Sequence, residues 1–250
     1  MSFQVIGINS LPVELLYDIE LYALSENLPH ASHHFNDVYK QASPFFHAKY
    51  IIGRVIENNE INLSEVYTKA LRYPLCTQKV VEAMQMLLKD FRPSKSAVQL
   101  PRRLFKNLAP PTPGWSKDSY PIPFLRYLYN APEIPRINTN ANEGYALTRA
   151  VHARFNPLVQ FLLAHHASPA CRDNLAVKVA VRQKNLEMVK LLVERKETKK
   201  KGKRRKFEDR LTLDSDMLKI AVMANAQDIV EYLYREKKIL PDLQTLKKMT

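Results

Sequence analysis

The hydrophobic positions of this 250-residue chain recur mostly with the period of an α-helix. One helical stripe consists of Leu63, Val66, Tyr67, Ala70 and Leu71, and it ends before Pro74. A second stripe consists of Val80, Val81, Met84, Leu87 and Leu88, with Thr77 as its predicted N-cap. The short connection between them predicts an antiparallel helical hairpin within residues 49–92. Glycine is scarce and strand-like alternation is hard to find, so the predicted fold class is all-α.

Three segments of the C-terminal half share one spacing of small and apolar residues. Each has a small residue followed by valine, an apolar residue at eight positions further on, a valine at nine and a leucine at twelve. The three sets are Ala150, Leu158, Val159 and Leu162; Ala180, Met188, Val189 and Leu192; and Ala221, Ile229, Val230 and Leu233. A small residue lets an inner helix approach its neighbour closely, and the apolar positions of an outer helix seal the layer. The pattern therefore predicts pairs of helices stacked consecutively.

These segments resemble ankyrin repeats, and the resemblance covers roughly residues 124–240. The repeats are degenerate, because Tyr145-Ala146-Leu147-Thr148 replaces the family's Thr-Pro-Leu-His turn. His166 stands where the family has a glycine after the outer helix, so we expect a left-handed backbone there or a changed turn. Leu125 and Leu128 fit the outer helix of a worn first repeat. The resemblance implies an α-solenoid that binds a partner protein.

The N-terminal segment begins with strong signals for a helix. Ser10 is a predicted N-cap, Pro12 is tolerated in a first turn, and Glu14 favours the positive end of the helix dipole. One apolar stripe then consists of Leu15, Ile19 and Tyr22, flanked by Leu16 and Ala23. A second short helix is predicted from Leu28, Phe35, Val38 and Tyr39.

Residues 10–48 resemble an F-box, especially the short F-box-like N-termini of many fungal proteins. The matching residues are Leu11-Pro12-Val13-Glu14-Leu15-Leu16 and the later Ser32-His33-His34-Phe35-Asn36-Asp37-Val38-Tyr39. The resemblance implies a substrate receptor that docks on the small adaptor of a cullin–RING ubiquitin ligase. The implied adaptor-binding residues are Leu11, Pro12, Leu15, Leu16 and Ile19. The alternative is that this stripe packs against the chain's own hairpin at 63–90.

Proline marks the boundary between the two helical parts. Nine of the 16 prolines fall between Pro93 and Pro135, so this stretch cannot be a continuous helix. Its aromatic residues, including Trp115 and Tyr120, predict that it packs on the body of the protein. The predicted organisation is an F-box-like motif at 1–48, a helical hairpin at 49–92, a Pro-rich connector at 93–123 and ankyrin-like repeats at 124–250.

Charge changes this picture at one place. The net charge is +13, and seven positive charges lie within eight residues of the predicted insertion 195–210. They belong to Lys199, Lys200, Lys201, Lys203, Arg204, Arg205 and Lys206. A compact cluster of this kind serves as a nuclear-import signal, as a non-specific contact to nucleic acid or another anionic surface, or as a solvated loop. Import is the favoured interpretation, so we expect a nuclear or cytoplasmic protein, with the nucleus favoured.

Residues typical of catalysis or metal binding are not arranged in a recognised motif. The sequence has no Gly-rich phosphate loop and no nucleophile elbow, and the cluster of His30, His33, His34 and His47 lacks the spacing of a zinc site. Cys76 and Cys171 are predicted to be buried thiols. We therefore expect no catalytic residue, metal, cofactor, small-molecule substrate or membrane association. The predicted function is a protein–protein interaction scaffold, with a non-ligase scaffold of a nuclear or chromatin complex and a nucleic-acid-associated protein as alternatives.

Overall fold

The computed structural model describes residues 7–56, 62–91, 96–110, 114–194 and 210–249. Within these ranges it contains fourteen α-helices and two strands of two residues each, which confirms the predicted all-α class. The helices are α1 (Val13–Ala23), α2 (His33–Gln41), α3 (Pro44–Val55), α4 (Leu63–Ala70), α5 (Gln78–Leu88), α6 (Arg103–Lys106), α7 (Ile122–Asn130), α8 (Ala141–His152), α9 (Asn156–Ala164), α10 (Cys171–Arg182), α11 (Leu186–Val193), α12 (Ser215–Met223), α13 (Gln227–Glu231) and α14 (Leu243–Met249). A π-helical turn, Tyr232–Glu236, continues α13, and the strands are β1 (Val98–Gln99) and β2 (Ile137–Asn138).

The chain divides into two compact units. The first consists of Met1–Gln99 and Phe124–Ile137, and the second of Leu100–Pro123 and Asn138–Thr250. The predicted connector is thus shared between the units, and the segment predicted as a worn first repeat belongs mostly to the first unit. Within that unit, Leu125 and Leu128 are buried side chains of α7.

Helix α3 is the centre of the first unit, because α1, α4 and α5 all pack on it. Ser43 caps α3 by accepting a hydrogen bond from the backbone N–H of Phe46 (3.2 Å), and Pro44 occupies its first turn. The boundary predicted at residue 48 falls inside this helix. The helices of the predicted hairpin, α4 and α5, are both formed, and α3 is their common packing partner.

Caps explain why the helices of the first unit begin where they do. The side chain of Asn62 accepts hydrogen bonds from the backbone N–H groups of Ser64 and Glu65 at the start of α4. Thr77 occupies the predicted N-cap of α5, but its side chain makes no capping hydrogen bond. Ser10 does not cap α1 as predicted, because Pro12 is the N-cap residue and the Ser10 hydroxyl donates to Gly7 O (2.6 Å).

The connector contributes packed residues to the second unit, as its aromatic content predicts. The Trp115 ring stacks on Phe155 at 3.9 Å between centroids, and its Nε1–H donates to Ala153 O (3.0 Å). Helix α6, whose Leu104 and Phe105 are buried, packs on α8. Both contacts lie at the first of the three helical pairs predicted from the sequence.

Three helical pairs, α8–α9, α10–α11 and α12–α13, form the rest of the second unit, and their turns have the same geometry. The left-handed residue of each turn is Arg154 (φ 54), Lys184 (φ 55) or Asn225 (φ 52). The carbonyl of each small residue accepts a hydrogen bond from the residue five positions later, as in a Schellman motif. These pairs are Phe155 N to Ala150 O (2.9 Å), Asn185 N to Ala180 O (3.2 Å) and Ala226 N to Ala221 O (3.0 Å).

The helical pairs follow one another in space as they do in sequence. Helix α10 packs on both α8 and α12, α11 packs on α13, and α14 covers part of α12. The alanines and leucines of the repeated pattern are all completely buried. Val222, by contrast, is only half-buried at the last pair. The small residue and the apolar residues eight, nine and twelve positions later are therefore buried, as close helix packing requires.

The irregular first turns of α8 and α10, with the residues just before them, bring the first and second pairs together. Residues 142–144 and 172–174 have left-handed backbone conformations, and a Cβ at Gly144 would lie 2.7 Å from the Cβ of Cys171. The Asn140 side chain accepts a hydrogen bond from Ser168 N (2.7 Å). Glycine is required at position 144 by this close approach. Cys171 is half-buried, whereas Cys76 is buried. The burial predicted for both thiols is therefore confirmed for Cys76 alone.

His166 has a left-handed backbone, with φ 64, which is the first of the two alternatives predicted for it. It follows α9, where Ala167 N donates to Leu162 O (2.9 Å) in another Schellman turn. We expect His166→Gly to raise the free energy of unfolding by about 1 kcal/mol, because glycine has no Cβ penalty in this conformation. The matched change His165→Gly, at φ −98 and with the ring in tilted contact with Phe161 (4.4 Å between centroids), should lower it. Thermal unfolding of both variants measures the difference, and an equal loss in both contradicts the prediction.

Candidate protein-docking helix

Helix α1 has one buried face and one exposed face. Leu16 and Glu20, four residues apart, have no exposed surface. Leu15 is 48% exposed and Tyr22 is 89% exposed. A helix with this division presents apolar side chains to solvent while its other side is fixed in the core.

The buried face of α1 contacts α2 and α3. Leu16 forms a hydrophobic cluster with Phe35 and Val38 of α2, and the partly buried Leu11 and Ile19 pack against this cluster. Burial of a leucine side chain of this kind stabilises the fold by about 2 kcal/mol. Leu16 was predicted to bind the adaptor, and the structure corrects this: it is a core residue with no surface to offer a partner.

The end of α1 is fixed by the C-terminal half of α3. Leu24 ends the helix in a left-handed conformation (φ 45), and the Arg54 guanidinium donates to its carbonyl oxygen. The same guanidinium forms an ion pair with Glu26. Tyr50 Oη donates to Ser25 O at 2.7 Å. These bonds fix the direction in which α1 presents its exposed face.

The exposed face of α1 forms a shallow groove of about 520 Å³. It is lined by Leu11, Leu15, Asp18, Ile19, Tyr22 and Ala23. Among the described residues, Asp18 is the only charged one in this lining, and the rest of the surface is almost entirely apolar. Such a surface can take up apolar side chains from another protein.

Glu20 is buried without a partner for its charge. Neither carboxyl oxygen accepts a hydrogen bond, and burial raises the pKa of this carboxyl to about 7. Burial is also the main cause of the raised pKa of Tyr39, with the charges of Tyr50 and Glu20 as additional causes. Glu20 is thus neutral in acid and charged above neutrality, on the face of α1 opposite the groove.

Four of the five predicted docking residues reach the surface of α1. Leu11, Leu15 and Ile19 line the groove, and Pro12 is exposed at the N-cap. Leu16, discussed above, is the exception. The structure thus brings the predicted stripe together on one face.

Two residues of α1 matter more than the sequence prediction indicated. Tyr22 lies in the predicted stripe but was not included among the docking residues, although it is three positions beyond Ile19 on the same helix face. Glu20 lies four positions beyond the buried Leu16, and this spacing is the signal that could have placed it inside. The general preference of glutamate for solvent hides that signal.

The predicted basic cluster Lys199–Lys206 lies outside the described residues. Among the histidines, His47 is buried, and its Nε2 lies 2.7 Å from Tyr39 O, so Nε2 carries the proton. His30 lies beside the Asn36 side chain (3.4 Å). In the described ranges, no three histidine, cysteine or acidic side chains are close enough to hold a metal ion together.

Comparisons with known proteins add no identification. No protein-family model matches the chain, and neither a curated protein nor a solved structure matches it. Over the described residues, no helix has the length and apolar character needed to cross a membrane.

Proposed function

We propose that this protein is an interaction scaffold that acts as a substrate receptor of a cullin–RING ubiquitin ligase. In this proposal the exposed face of α1 docks on the small adaptor of the ligase, and the C-terminal helical pairs hold the protein to be modified. The observation that carries the proposal is the apolar groove along α1, a helix whose opposite face is anchored in the core.

The chemistry of the groove supports docking on a protein. Contiguous exposed apolar surface is unusual on a soluble protein and marks interaction sites. Leu15 and Tyr22 are separated by two helical turns and project from one face, as anchors do when an amphipathic helix enters an apolar groove. Asp18 lies between them and supplies one charge that can orient the partner.

The second unit supports the other half of the proposal. Its three helical pairs share their turn geometry and follow one another in space, as expected of an ankyrin-like solenoid. Solenoids of this kind expose extended surfaces that suit them to binding proteins. We accordingly assign substrate binding to the second unit and adaptor binding to the first.

Capture by the purified adaptor tests the first half of the proposal. We expect the full chain to bind the adaptor, and Leu15→Ser combined with Tyr22→Ala to weaken binding at least about tenfold, because buried apolar anchors dominate interface energies. Met86→Ser is the matched control, since Met86 is an exposed apolar residue (69%) on α5 outside the groove. Binding constants are measured by calorimetry or surface plasmon resonance.

Two results would contradict the proposal. Absence of binding by the wild type removes the ligase role and favours a scaffold that works without a ligase. Equal binding by the groove variant and the Met86→Ser control removes α1 as the docking helix. Leu16 is unsuitable for this test, because its truncation perturbs the core and not the groove.

A further inference from the structure

The second unit has a groove of its own, about 970 Å³ in volume, between two non-helical segments. One wall precedes α12 and the other follows the π-helical turn. The lining residues are Arg210, Leu211, Thr212, Leu213, Ser215, Lys237, Lys238, Ile239 and Leu240. This groove is larger and more polar than the groove on α1.

The apolar residues of this second groove differ in exposure. Leu211 and Ile239 are buried and form its floor, whereas Leu240 is 80% exposed at its edge. The floor is held in place by the backbone bond from Ile239 N to Leu233 O (3.1 Å). An occupant that covered Leu240 would remove a large apolar surface from water.

The charged residues of the groove are all positive. Arg210, Lys237 and Lys238 line it, and no acidic side chain of the described residues does. Close to the groove, Glu194 Oε1 lies 3.7 Å from Lys237 Nζ and accepts a hydrogen bond from Tyr232 Oη (2.9 Å). Among the described residues, the lining of the groove therefore carries three positive side chains and no acidic one.

The two cations nearest Glu194 are held in position by the fold. Arg210 donates through Nε to Glu194 O (3.2 Å), and its backbone N–H donates to Val193 O (2.8 Å). The Lys237 side chain is only 16% exposed. Lys238 is different: it is exposed, and its backbone is left-handed (φ 57). Lys238 is therefore the cation most accessible to a ligand.

We propose that this groove binds an acidic segment of a partner protein in which Asp or Glu residues are interspersed with Leu, Ile or Phe. The three basic side chains complement the carboxylates, and the Leu211–Ile239 floor with Leu240 takes the apolar side chains. The inference deepens the proposed function, because it gives the chemistry of the partner held by the second unit. It does not require α1 to bind an adaptor.

A peptide fits this groove better than a nucleic acid. Nucleic-acid surfaces combine positive charge with exposed aromatic rings on which bases stack, and none of the described residues that line this groove is aromatic. The apolar floor would lie unused beneath a phosphate backbone. A protein segment with alternating acidic and apolar residues uses both kinds of surface.

Fluorescence anisotropy with the full chain tests this proposal. The probe is a labelled peptide in which glutamate and leucine alternate, and the comparison probe has glutamine in place of glutamate. We expect the acidic peptide to bind at least about tenfold more tightly than the glutamine peptide, with an affinity that falls as salt rises. Lys238→Glu should weaken binding about tenfold, and Leu240→Ser by at least about threefold.

Lys184→Glu is the matched control for the charge reversal. Lys184, like Lys238, is an exposed lysine of the second unit with a left-handed backbone (φ 55), but it does not line the groove. Equal binding by the two charge-reversal variants would overturn the proposal. So would a single-stranded oligonucleotide that binds more tightly than the peptide and is insensitive to Leu240→Ser. The α1 variant Leu15→Ser should bind the peptide normally, so failure of adaptor binding and failure of this groove are distinguishable.

Discussion

The free energy of unfolding of the first unit should fall by about 3 kcal/mol between pH 4.5 and pH 7, and Glu20→Gln should remove most of this fall. The pKa of the Glu20 carboxyl rises from 4.5 to about 7 in the folded protein, and each unit of pKa difference corresponds to about 1.4 kcal/mol. The cause is burial, since the carboxyl has no exposed surface and no hydrogen-bond partner. The effect is large compared with the total stability of a small unit.

The direction of the change follows from proton binding. Below about pH 4.5 the carboxyl is protonated in both states, so its contribution to stability is fully present. Between 4.5 and about 7 the unfolded chain loses this proton while the folded protein keeps it, and stability falls as the pH rises. Above about pH 7 the folded protein holds a buried charge, and the loss is complete.

Hydrogen exchange of the α1, α2 and α3 amides measures this loss locally. Wild type and Glu20→Gln are compared at each pH, so that the pH dependence of the chemical exchange rate cancels. Glu14→Gln is the matched control, because Glu14 is exposed in the first turn of the same helix. If wild type and Glu20→Gln show the same protection at pH 5 and pH 8, the carboxyl is not buried as described.

The repeated helical pairs could be predicted from the sequence because their packing requires small and apolar residues at fixed spacings. A small residue is needed where α10 meets both α8 and α12, and Ala180 satisfies this need at the carbonyl that closes the Schellman turn. The left-handed backbone of His166 could also be predicted, because the position where a helix ends restricts the backbone whatever the side chain. Such constraints act within a few residues of the chain, so they are visible in the spacing of residue types along the sequence.

The boundaries of the first unit could not be predicted from the sequence, because they depend on packing between residues that are distant in the chain. Helix α7 has the apolar spacing of an outer helix, with Leu125 and Leu128 buried, yet residues 124–137 belong to the first unit. Helix α3 starts at Pro44 behind the Ser43 cap, but its role as the packing partner of three other helices depends on residues distant in the chain. A single sequence gives no information about such pairings.

The docking face was predicted in its main features and not in its detail. The helical period correctly places Leu15, Ile19 and Tyr22 on one face of α1. The same period does not say which side of the helix meets the core, and two adjacent leucines, Leu15 and Leu16, lie on opposite sides of that division. The side of α1 that meets the core is determined by α2, because Phe35 and Val38 of α2 pack against Leu16.

Truncation of the leucine in the middle helical pair should destabilise the second unit strongly. Leu192 of α11 has no exposed surface, so Leu192→Ala should lower the free energy of unfolding by about 2–5 kcal/mol, through lost burial and the cavity left behind. Leu191→Ala is the matched control: the same change one position earlier in the same helix, at a half-buried side chain, should have a much smaller effect.

Hydrogen exchange of the α10–α13 amides measures this loss, because the two units need not unfold together. Protection should fall in α10 and α11 and also in α13, which packs on α11. In a stack, each pair is stabilised by its neighbours, so damage to the middle pair reaches the next one. Equal effects of the two substitutions, or a loss confined to α11, would contradict the layered packing on which substrate binding by the second unit depends.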